Sequence, residues 1–438
     1  MNKFMVTTES EFVDTELGQL PKGWPLKKME EVTRTITDYV ANGSFASLKK
    51  NVKYLDEEGY AILLRLTDYS KEFKGPFRYV DKHAYEFLSK SSVEPGDIII
   101  SNVGSIGTIF KAPNLGKPMT LGPNALLIKA DDFNDFLYFW FQSPIGKESV
   151  YRIASKTAQP KFNKTDFRNL PIPLPPLPEQ RAIAHVLSTV RQAIEATEGV
   201  IAAARELKRS MMKHLFSYGP VPVHKADQVA LKETEIGDIP EAWDITKLGN
   251  VSQKPQYGYT ESATMEKVGP HFLRITDIQD NGIVNWSTVP YCPCSDADYR
   301  KYALNNGDIL VARIGATTGK SYLVSECPPA VFASYLIRIN TKPSSLLPAF
   351  MHQFMNTQLY WSQINATKGG RLKQGVNISN LQNLKIPLPE LREQKTIVSF
   401  LNCIDEKKYK EIKRKYVLET LFNSLLHHLM TGKVRVNL

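Results

Sequence analysis

The feature that most constrains the fold of this chain is an internal duplication. Five runs occur twice in the same order, and each second copy follows the first by about 210 to 220 residues. The matched pairs are Glu16–Trp24 with Glu235–Trp243, Leu64–Asp68 with Leu273–Asp277, Pro95–Ile99 with Asn306–Leu310, Leu174–Gln180 with Leu388–Gln394, and Met211–Phe216 with Leu425–Met430. Such ordered matches predict two homologous modules in tandem. The halves diverge between the matches, which favours a shared frame with different ligand-contacting loops.

Each copy begins with short β-rich runs and ends in one long helix. Two of the β-rich runs in the first copy are Gly96–Ser101 and Ala125–Ile128, which are bounded by Gly, Pro and Asn. Closely spaced prolines from Pro171 to Pro178 then hold the chain extended and end the globular part. An apolar heptad pattern follows each proline-rich stretch and predicts a helix of about 40 residues, or about 60 Å.

The apolar seams of the two helices predict how they pack. Thr197 and Lys208 interrupt the first seam, which otherwise contains Ile183, Leu187, Val190, Ile194, Ile201, Ala204, Met211 and Leu215. The second seam has a polar middle at Lys408, Glu411 and Lys415, between the apolar positions Ile397, Leu401, Ile404, Leu418, Phe422, Leu425 and Leu429. Each helix could lie on its own module as ordinary core. Because a rod of about 60 Å outreaches such a module, we predict instead an antiparallel coiled coil.

The predicted fold class is α+β, a tandem duplication of a β-rich module followed by a long helix, with the two helices packed against each other. The predicted segments are an N-terminal tail 1–15, a first module 16–176, a first helix 177–219, a linker 220–234, a second module 235–389, a second helix 390–432 and a C-terminal tail 433–438.

Charge and cysteine content limit the class of protein. Lys and Arg number 55 against 45 Asp and Glu, a net charge of +10, which is compatible with a polyanionic partner and equally with a mildly basic surface. All four cysteines lie in the second half and none forms a CxxC pair, which is typical of a reduced cytoplasmic protein. There is no apolar run of about 18 residues, so the sequence predicts no membrane contact.

Several fragments imitate catalytic or metal-binding motifs. Gly315–Ser321 resembles a phosphate-binding loop, but it has three residues between its glycines where that loop needs four. Its repeat, Asn102–Gly107, lacks the Lys-Ser pair, so we interpret both as a strand–turn of the shared frame. Cys292 and Cys294 have no second Cys or His pair nearby, so we predict no metal site.

Three runs carry a resemblance to a known family: Leu174–Arg181 leading into a long helix, Glu235–Trp243, and the final Leu429–Val436. Together they resemble the specificity subunit of type I restriction–modification systems, over nearly the whole chain. The resemblance implies that the modules are target recognition domains and that the helices dock methyltransferase subunits. It implies a protein that reads a two-part, gapped DNA target, one half-site per module, and has no catalytic residues of its own.

The resemblance implies three kinds of partner: double-stranded DNA, methyltransferase subunits and restriction subunits that translocate DNA. Two copies of the methyltransferase subunit are expected, because the duplication provides two similar docking platforms. No cofactor is expected on this chain; S-adenosylmethionine, ATP and Mg²⁺ are expected on the partner subunits. An unusual methyltransferase and a coiled-coil scaffold that binds only protein are the two alternatives. An adenine methyltransferase should show an Asn- or Asp-Pro-Pro-aromatic run, and neither Leu174–Leu177 nor Cys327–Ala330 fits it.

Polar loops supply the candidate DNA-contacting residues. Lys and Arg suit phosphates, whereas Arg, Asn, Gln, Ser and Thr suit base edges. The candidates are Asn102, Ser105, Lys156, Thr157, Gln159, Lys161 and Asn163 in the first module, and Arg313, Thr317, Thr318, Lys320, Lys368, Arg371, Lys373 and Gln374 in the second. Arg65 and Arg274 lie in a repeated run, so we interpret them as structural. The basic cluster Lys407–Lys415 is interpreted as a solvated helix face, with contact to DNA or a partner as the alternative.

Overall fold

The computed structural model describes residues 5–7, 11–279, 282, 284–367 and 375–437. By proximity of their backbones, residues fall into two compact units: 1–197 with 414–438, and 198–413. The first unit therefore draws on both ends of the chain, whereas the second is one continuous stretch. Among the described residues, no helix is both long enough and apolar enough to span a membrane.

The first unit is a mixture of short strands and helices. Its strands are Met5–Thr7, Phe12–Thr15, Gly18–Pro21, Leu26–Lys28, Thr35–Asp38, Ala61–Leu64, Arg78–Val80, Ser92–Val93, Ile98–Ser101, Ile109–Lys111, Met119–Leu121, Ala125–Lys129, Pro171–Pro173 and Arg435–Asn437. Its short α-helices are Met29–Val32, Phe45–Asn51, Leu66–Ser70, Lys82–Phe87, Asn134–Gln142, Pro144–Arg152 and Lys164–Arg168.

The second unit has the same character. Its strands are Leu231–Lys232, Ile239–Pro240, Asp244–Lys247, Gln256–Tyr257, His271–Leu273, Ile309–Ala312, Ser321–Leu323, Ala330–Phe332, Leu336–Ile339 and Lys385–Leu388. Its short α-helices are Leu248–Val251, Asp296–Tyr302, Pro348–Phe354, Gln358–Thr367 and Ile378–Gln382. Two long helices, Leu177–Tyr218 and Leu391–Met430, each contribute one part to each unit.

The sheets confirm the duplication. In the first unit a four-stranded antiparallel sheet has Ile98–Ser101 and Ala125–Lys129 at its centre, both of them largely buried runs. The second unit repeats this sheet with Ile309–Ala312 and Leu336–Ile339 as the central pair. Each unit also holds one parallel pair, which in the first joins Met119–Leu121 to the strand Ala61–Leu64. The predicted α+β tandem repeat is thus confirmed.

Hydrogen bonds repeat as closely as the strands do. Trp24 donates its indole N–H to Glu179 at 3.1 Å, and Trp243 donates to Glu393 at 3.2 Å. Each pair ties the start of a module to the first turn of the long helix that follows it. The first copy has one further partner, because Arg435 from the C-terminal strand donates to both carboxylate oxygens of Glu179.

A second repeated contact is an arginine that is clamped to an aspartate three residues later. In the first module Arg65 donates to both oxygens of Asp68, at 3.2 and 2.7 Å, and that carboxylate also accepts the Arg65 backbone N–H. Arg274 and Asp277 repeat the arrangement in the second module, at 3.0 and 2.8 Å. Both aspartates cap a short helical turn. These arginines therefore hold the frame, as the repeated run suggested.

The long helices pack against each other in antiparallel fashion, which confirms the predicted coiled coil. In the first unit Ile183 and Leu187 share a buried cluster with Leu426 and Leu429. In the second unit the end of the first helix meets the start of the second, where Leu215 and Ile397 share the buried cluster. The same clusters contain module residues, so each half-helix also covers part of a module core.

Each compact unit combines parts of several of the segments predicted from the sequence. Contacts group half of each long helix with a module, because the apolar stripe of each half is buried against that module. The two predicted tails are also not independent: Met5–Thr7 and Arg435–Asn437 form a two-stranded antiparallel pair. The segment limits themselves stay a prediction, although the helices begin and end within two residues of them.

Candidate nucleic-acid interface

Two of the predicted loops in the first module lie side by side. The turn after strand Ile98–Ser101 contains Asn102, whose side-chain amide donates to the Phe162 carbonyl at 3.3 Å. Phe162 returns its own N–H to the Asn102 carbonyl at 3.1 Å. Gly104 donates to the Pro160 carbonyl at 3.0 Å. A run that is remote in sequence is thus pinned beside the turn, and together they form one polar surface.

The remaining candidates of this surface are mostly exposed. Ser105, Lys156, Gln159 and Lys161 are exposed, and no hydrogen bond or ion pair to another described residue withdraws their side chains from solvent. Thr157 is exposed as well, but its hydroxyl donates to the Gln159 carbonyl at 2.9 Å and so shapes the loop. Cationic and amide groups therefore face solvent together, as contact with phosphates and base edges requires.

Asn163 is exposed, and its side chain also stabilises the start of a helix. Its side chain caps the helix Lys164–Arg168 by accepting the Asp166 N–H at 2.8 Å, and its amide donates to the Asp166 carboxylate at 2.7 Å. Asn377 plays the same capping part in the second module, where it accepts the Asn380 N–H at 2.9 Å. Because the cap is repeated, it belongs to the frame.

The second module repeats the pinned turn with different side chains. Arg313 occupies the position of Asn102, and its carbonyl accepts the Val376 N–H at 2.8 Å, as the Asn102 carbonyl accepts that of Phe162. The Arg313 guanidinium lies 4.6 Å from the Tyr257 ring and is half-buried. No pattern in the sequence indicated Tyr257, because this cation–π contact joins residues that are 56 positions apart.

The other candidates of the second turn differ in accessibility. Thr317 is exposed, and Lys320 is half-buried. Thr318 is only 3% exposed, and its hydroxyl donates to the Gly315 carbonyl at 2.7 Å, so its side chain stabilises the turn. Lys368, Arg371, Lys373 and Gln374 lie outside the described residues. That any of these residues contacts DNA stays a prediction.

The turn at Gly315 is the strand–turn expected from the repeat. Gly319 donates to the Ala312 carbonyl at 2.8 Å, and Gly107 donates in the same way to Ser101 at 3.1 Å. Both glycines have positive φ, 92° and 76°, a region that favours glycine. Resemblance to a phosphate-binding loop is therefore explained by a turn that both modules share.

The cysteines of the second module lie in an environment that disfavours metal binding. Burial raises the pKa of the Cys292 thiol to about 12, and burial also raises the pKa of Cys294. Metal ligation requires the thiolate, which such shifts make scarce at neutral pH. Within the described ranges, no group of three or more His, Cys, Asp or Glu side chains could hold a metal ion.

Comparison with known proteins gives one consistent result. The model of the family "Type I restriction modification DNA specificity domain" matches residues 22–205 and, a second time, residues 240–416. The putative type I restriction enzyme MjaX specificity subunit of Methanocaldococcus jannaschii is 28% identical and is aligned over 98% of this chain and 97% of its own length. The MjaVIII specificity subunit of the same organism is 29% identical over 85% and 93%.

A solved structure agrees at the level of the fold. The crystal structure of a type I restriction–modification S subunit from M. genitalium superposes with a TM-score of 0.58, at 14% identity, and the match covers 93% of this chain and 96% of the other. The two ranges matched by the family model fall one on each copy of the duplication.

Proposed function

We infer that this chain, which belongs to the type I restriction–modification DNA specificity family, reads a bipartite, gapped DNA sequence with one half-site for each module. One observation carries the proposal: the turn and the remote segment pinned beside it occur at equivalent places in both modules, through Asn102 with Phe162 and Arg313 with Val376. A repeated frame with unlike side chains suits two readers of unlike half-sites.

The chemistry of these surfaces supports contact with DNA. In the first module, exposed Lys156 and Lys161 are suited to phosphates, and Gln159 and Ser105 to base edges. In the second, Arg313 is the candidate base reader, because arginine pairs with guanine in the major groove through two hydrogen bonds. The ring of Tyr257 under its guanidinium would hold the planar group in a fixed direction.

We propose further that the chain acts within a larger assembly and contributes no catalytic residues. Methyltransferase subunits, two copies in this proposal, would dock on the outward faces of the two long helices, and restriction subunits would join them. S-adenosylmethionine, ATP and Mg²⁺ would bind to these partners. The names of the relatives, which are specificity subunits of restriction enzymes, support this division of labour.

Exchange of one module tests the proposed reading of half-sites. Residues 24–170 are replaced by the matching module of the MjaX relative, and DNA methylated by the assembled complex is mapped by sequencing. One half of the gapped target should change and the other half should stay. The matched control replaces the second module, 243–384, and should change only the other half. An unchanged target in both chimaeras would mean that the modules do not read DNA.

A direct assay tests the absence of catalysis. The purified chain is incubated with labelled S-adenosylmethionine and duplex DNA, alone and with its methyltransferase subunits. Label should enter DNA only in the second mixture. Turnover by the isolated chain would make it a methyltransferase and would contradict the proposal.

A further inference from the structure

The second unit contains a polar cleft that the reading of DNA bases does not account for. It has a volume of about 850 Å³ and lies where the turn after Ile309–Ala312, the helix Pro348–Phe354 and the two long helices meet. Four cationic side chains line it, together with one carboxylate, among the described residues: Arg205, Lys208, Lys320, Lys408 and Asp405. A cleft of this size can hold a small ligand or a segment of a larger one.

The first unit supplies an internal comparison, because the duplication places an equivalent cleft there, lined by Thr108, Ile109 and Tyr138. Two matching hydrogen bonds fix the correspondence of the turns: Ser101 donates to the Thr108 carbonyl at 2.8 Å, and Ala312 donates to the Lys320 carbonyl at 2.9 Å. The polar second cleft thus has Lys320 and Ser321 where the first has Thr108 and Ile109, and His352 where the first has Tyr138.

The long-helix residues at the two clefts also differ, and the second cleft again has the more charged set. Lys208 and Lys408 stand at the positions of Phe422 and Ile194, both of them apolar seam positions in the first unit. Asp405 replaces Arg191, whose guanidinium donates to the Tyr138 hydroxyl at 2.7 Å and lies 4.9 Å from the Phe422 ring. The first cleft is lined by two cations, Lys147 and Arg191, and its own side chains satisfy the Arg191 guanidinium through the Tyr138 hydroxyl, the Gln142 amide oxygen and the Phe422 ring.

The second cleft keeps several charges at a seam where apolar side chains would pack better. Lys208 and Lys408 are only 19% and 22% exposed, and they converge on Asp405 at 2.5 and 2.9 Å. An ammonium group has three N–H donors, so one contact with Asp405 leaves donors on each lysine. Removing charge from water is costly unless it is matched, and here two largely buried lysines share the single carboxylate of Asp405.

A neutral donor or acceptor set completes the lining. The Ser321 hydroxyl is shielded from solvent and has no hydrogen-bond partner among the described residues, a state that proteins rarely leave uncompensated. Burial, with the nearby Lys208, lowers the pKa of His352 to about 4, so its ring is neutral at physiological pH. Neither group adds a negative charge that would repel an anion.

We propose that this cleft binds a phosphate group, held by Lys208 and Lys408 from the two long helices and by the hydroxyl of Ser321. Lysine is suited to phosphate as a compact point charge, and donors from separate elements suit a tetrahedral anion better than a planar carboxylate. The phosphate belongs either to the backbone of bound DNA or to a free phosphorylated molecule. The proposal is independent of which bases the modules read.

Calorimetric titration of the full chain with inorganic pyrophosphate, at constant ionic strength, tests the proposal. Lys408→Ile installs the residue of the first copy and should weaken binding by about ten-fold or more, the usual effect of losing one charge-assisted contact. Ser321→Ile, also the first-copy residue, should weaken it as well and serves if the lysine variant fails to fold. Lys410→Ile is the matched control, because Lys410 is exposed on the same helix, does not line the cleft and carries the same charge.

The outcomes separate the possible ligands. Equal affinities in the Lys408 and Lys410 variants, no measurable pyrophosphate binding by the wild-type chain, or equally tight binding of citrate would each overturn the proposal. A second titration uses a duplex of unrelated sequence. If Lys408→Ile weakens duplex binding and lowers its salt dependence by about one counterion while Lys410→Ile does not, the phosphate is that of DNA. If only pyrophosphate binding falls, the ligand is a free phosphate.

Discussion

Removal of Arg435 tests what holds the first module to its long helix. The Glu179 side chain is 3% exposed, and Arg435, itself 21% exposed, donates to both of its oxygens. In Arg435→Met the carboxylate keeps, among the contacts of the described residues, the Trp24 indole at 3.1 Å. Breaking a buried ion pair from one side costs about 3 to 5 kcal/mol, and partial access of water favours the lower value. We expect a loss of about 3 kcal/mol, which is about a 150-fold change in the unfolding equilibrium constant.

Hydrogen exchange measured by mass spectrometry, combined with urea unfolding, follows this loss locally. Protection should fall in peptides around Trp24 and Glu179 and persist around Trp243. The double variant Glu179→Gln/Arg435→Met should recover most of the stability, because a neutral amide tolerates the missing cation. Glu393→Gln is the matched control: Glu393 is half-buried and bonds Trp243 at 3.2 Å without an arginine among the described contacts, so the cost should stay below about 1 kcal/mol. If Arg435→Met costs no more than this control, the ion pair does not stabilise the unit.

Three further predictions concern single residues. Burial lowers the pKa of His352 from 6.5 to about 4, so the stability that depends on its neutral ring is complete above pH 6.5 and is lost as the pH falls towards 4. Between pH 8 and pH 5 the free energy of unfolding should fall by roughly 2 kcal/mol from this residue. His352→Gln should remove this part of the pH dependence in urea titrations. Burial raises the pKa of Cys292 to about 12, so an alkylating reagent at pH 8 should label exposed Cys403 and leave Cys292 unmodified in the native chain; equal labelling by mass spectrometry would contradict this burial. Gly432→Ala should destabilise by more than about 2 kcal/mol, since a Cβ there would lie 2.2 Å from a proline ring, whereas Gly219→Ala, with a similar φ and no atom closer than 3.5 Å, should cost about 1 kcal/mol in thermal melts.

Features that repeat in the sequence were predictable. The matched runs predicted two modules, and the apolar seams predicted two helices that pack in antiparallel fashion. A residue that occurs at equivalent positions of both modules, such as Arg65 and Arg274, must satisfy the same geometry twice, so its structural role can be predicted from the sequence.

Features that depend on closure of remote segments were not predictable. Both polar loops of the first module were predicted as DNA contacts, yet nothing in the sequence indicated that Asn102 would be bonded to Phe162. The same holds for the stacking of Arg313 on Tyr257. Lys208 was recognised only as an interruption of a seam, and its ion pair with Asp405 requires the register of two helices. The hydrogen bond of the Thr318 hydroxyl to the Gly315 carbonyl was likewise not indicated by the sequence, and contact of Thr318 with DNA stays a prediction.

The discontinuous composition of the first unit has a consequence for the order of folding during synthesis. The second unit, 198–413, is continuous and can complete its core as soon as it has left the ribosome. The first unit cannot, because Leu426, Leu429 and Val436 belong to its buried cluster and the last strand pairs with Met5–Thr7. The module that is translated first is therefore the one completed last. During elongation its unfinished core and open strand edge are exposed, which is when a nascent chain is most prone to aggregate.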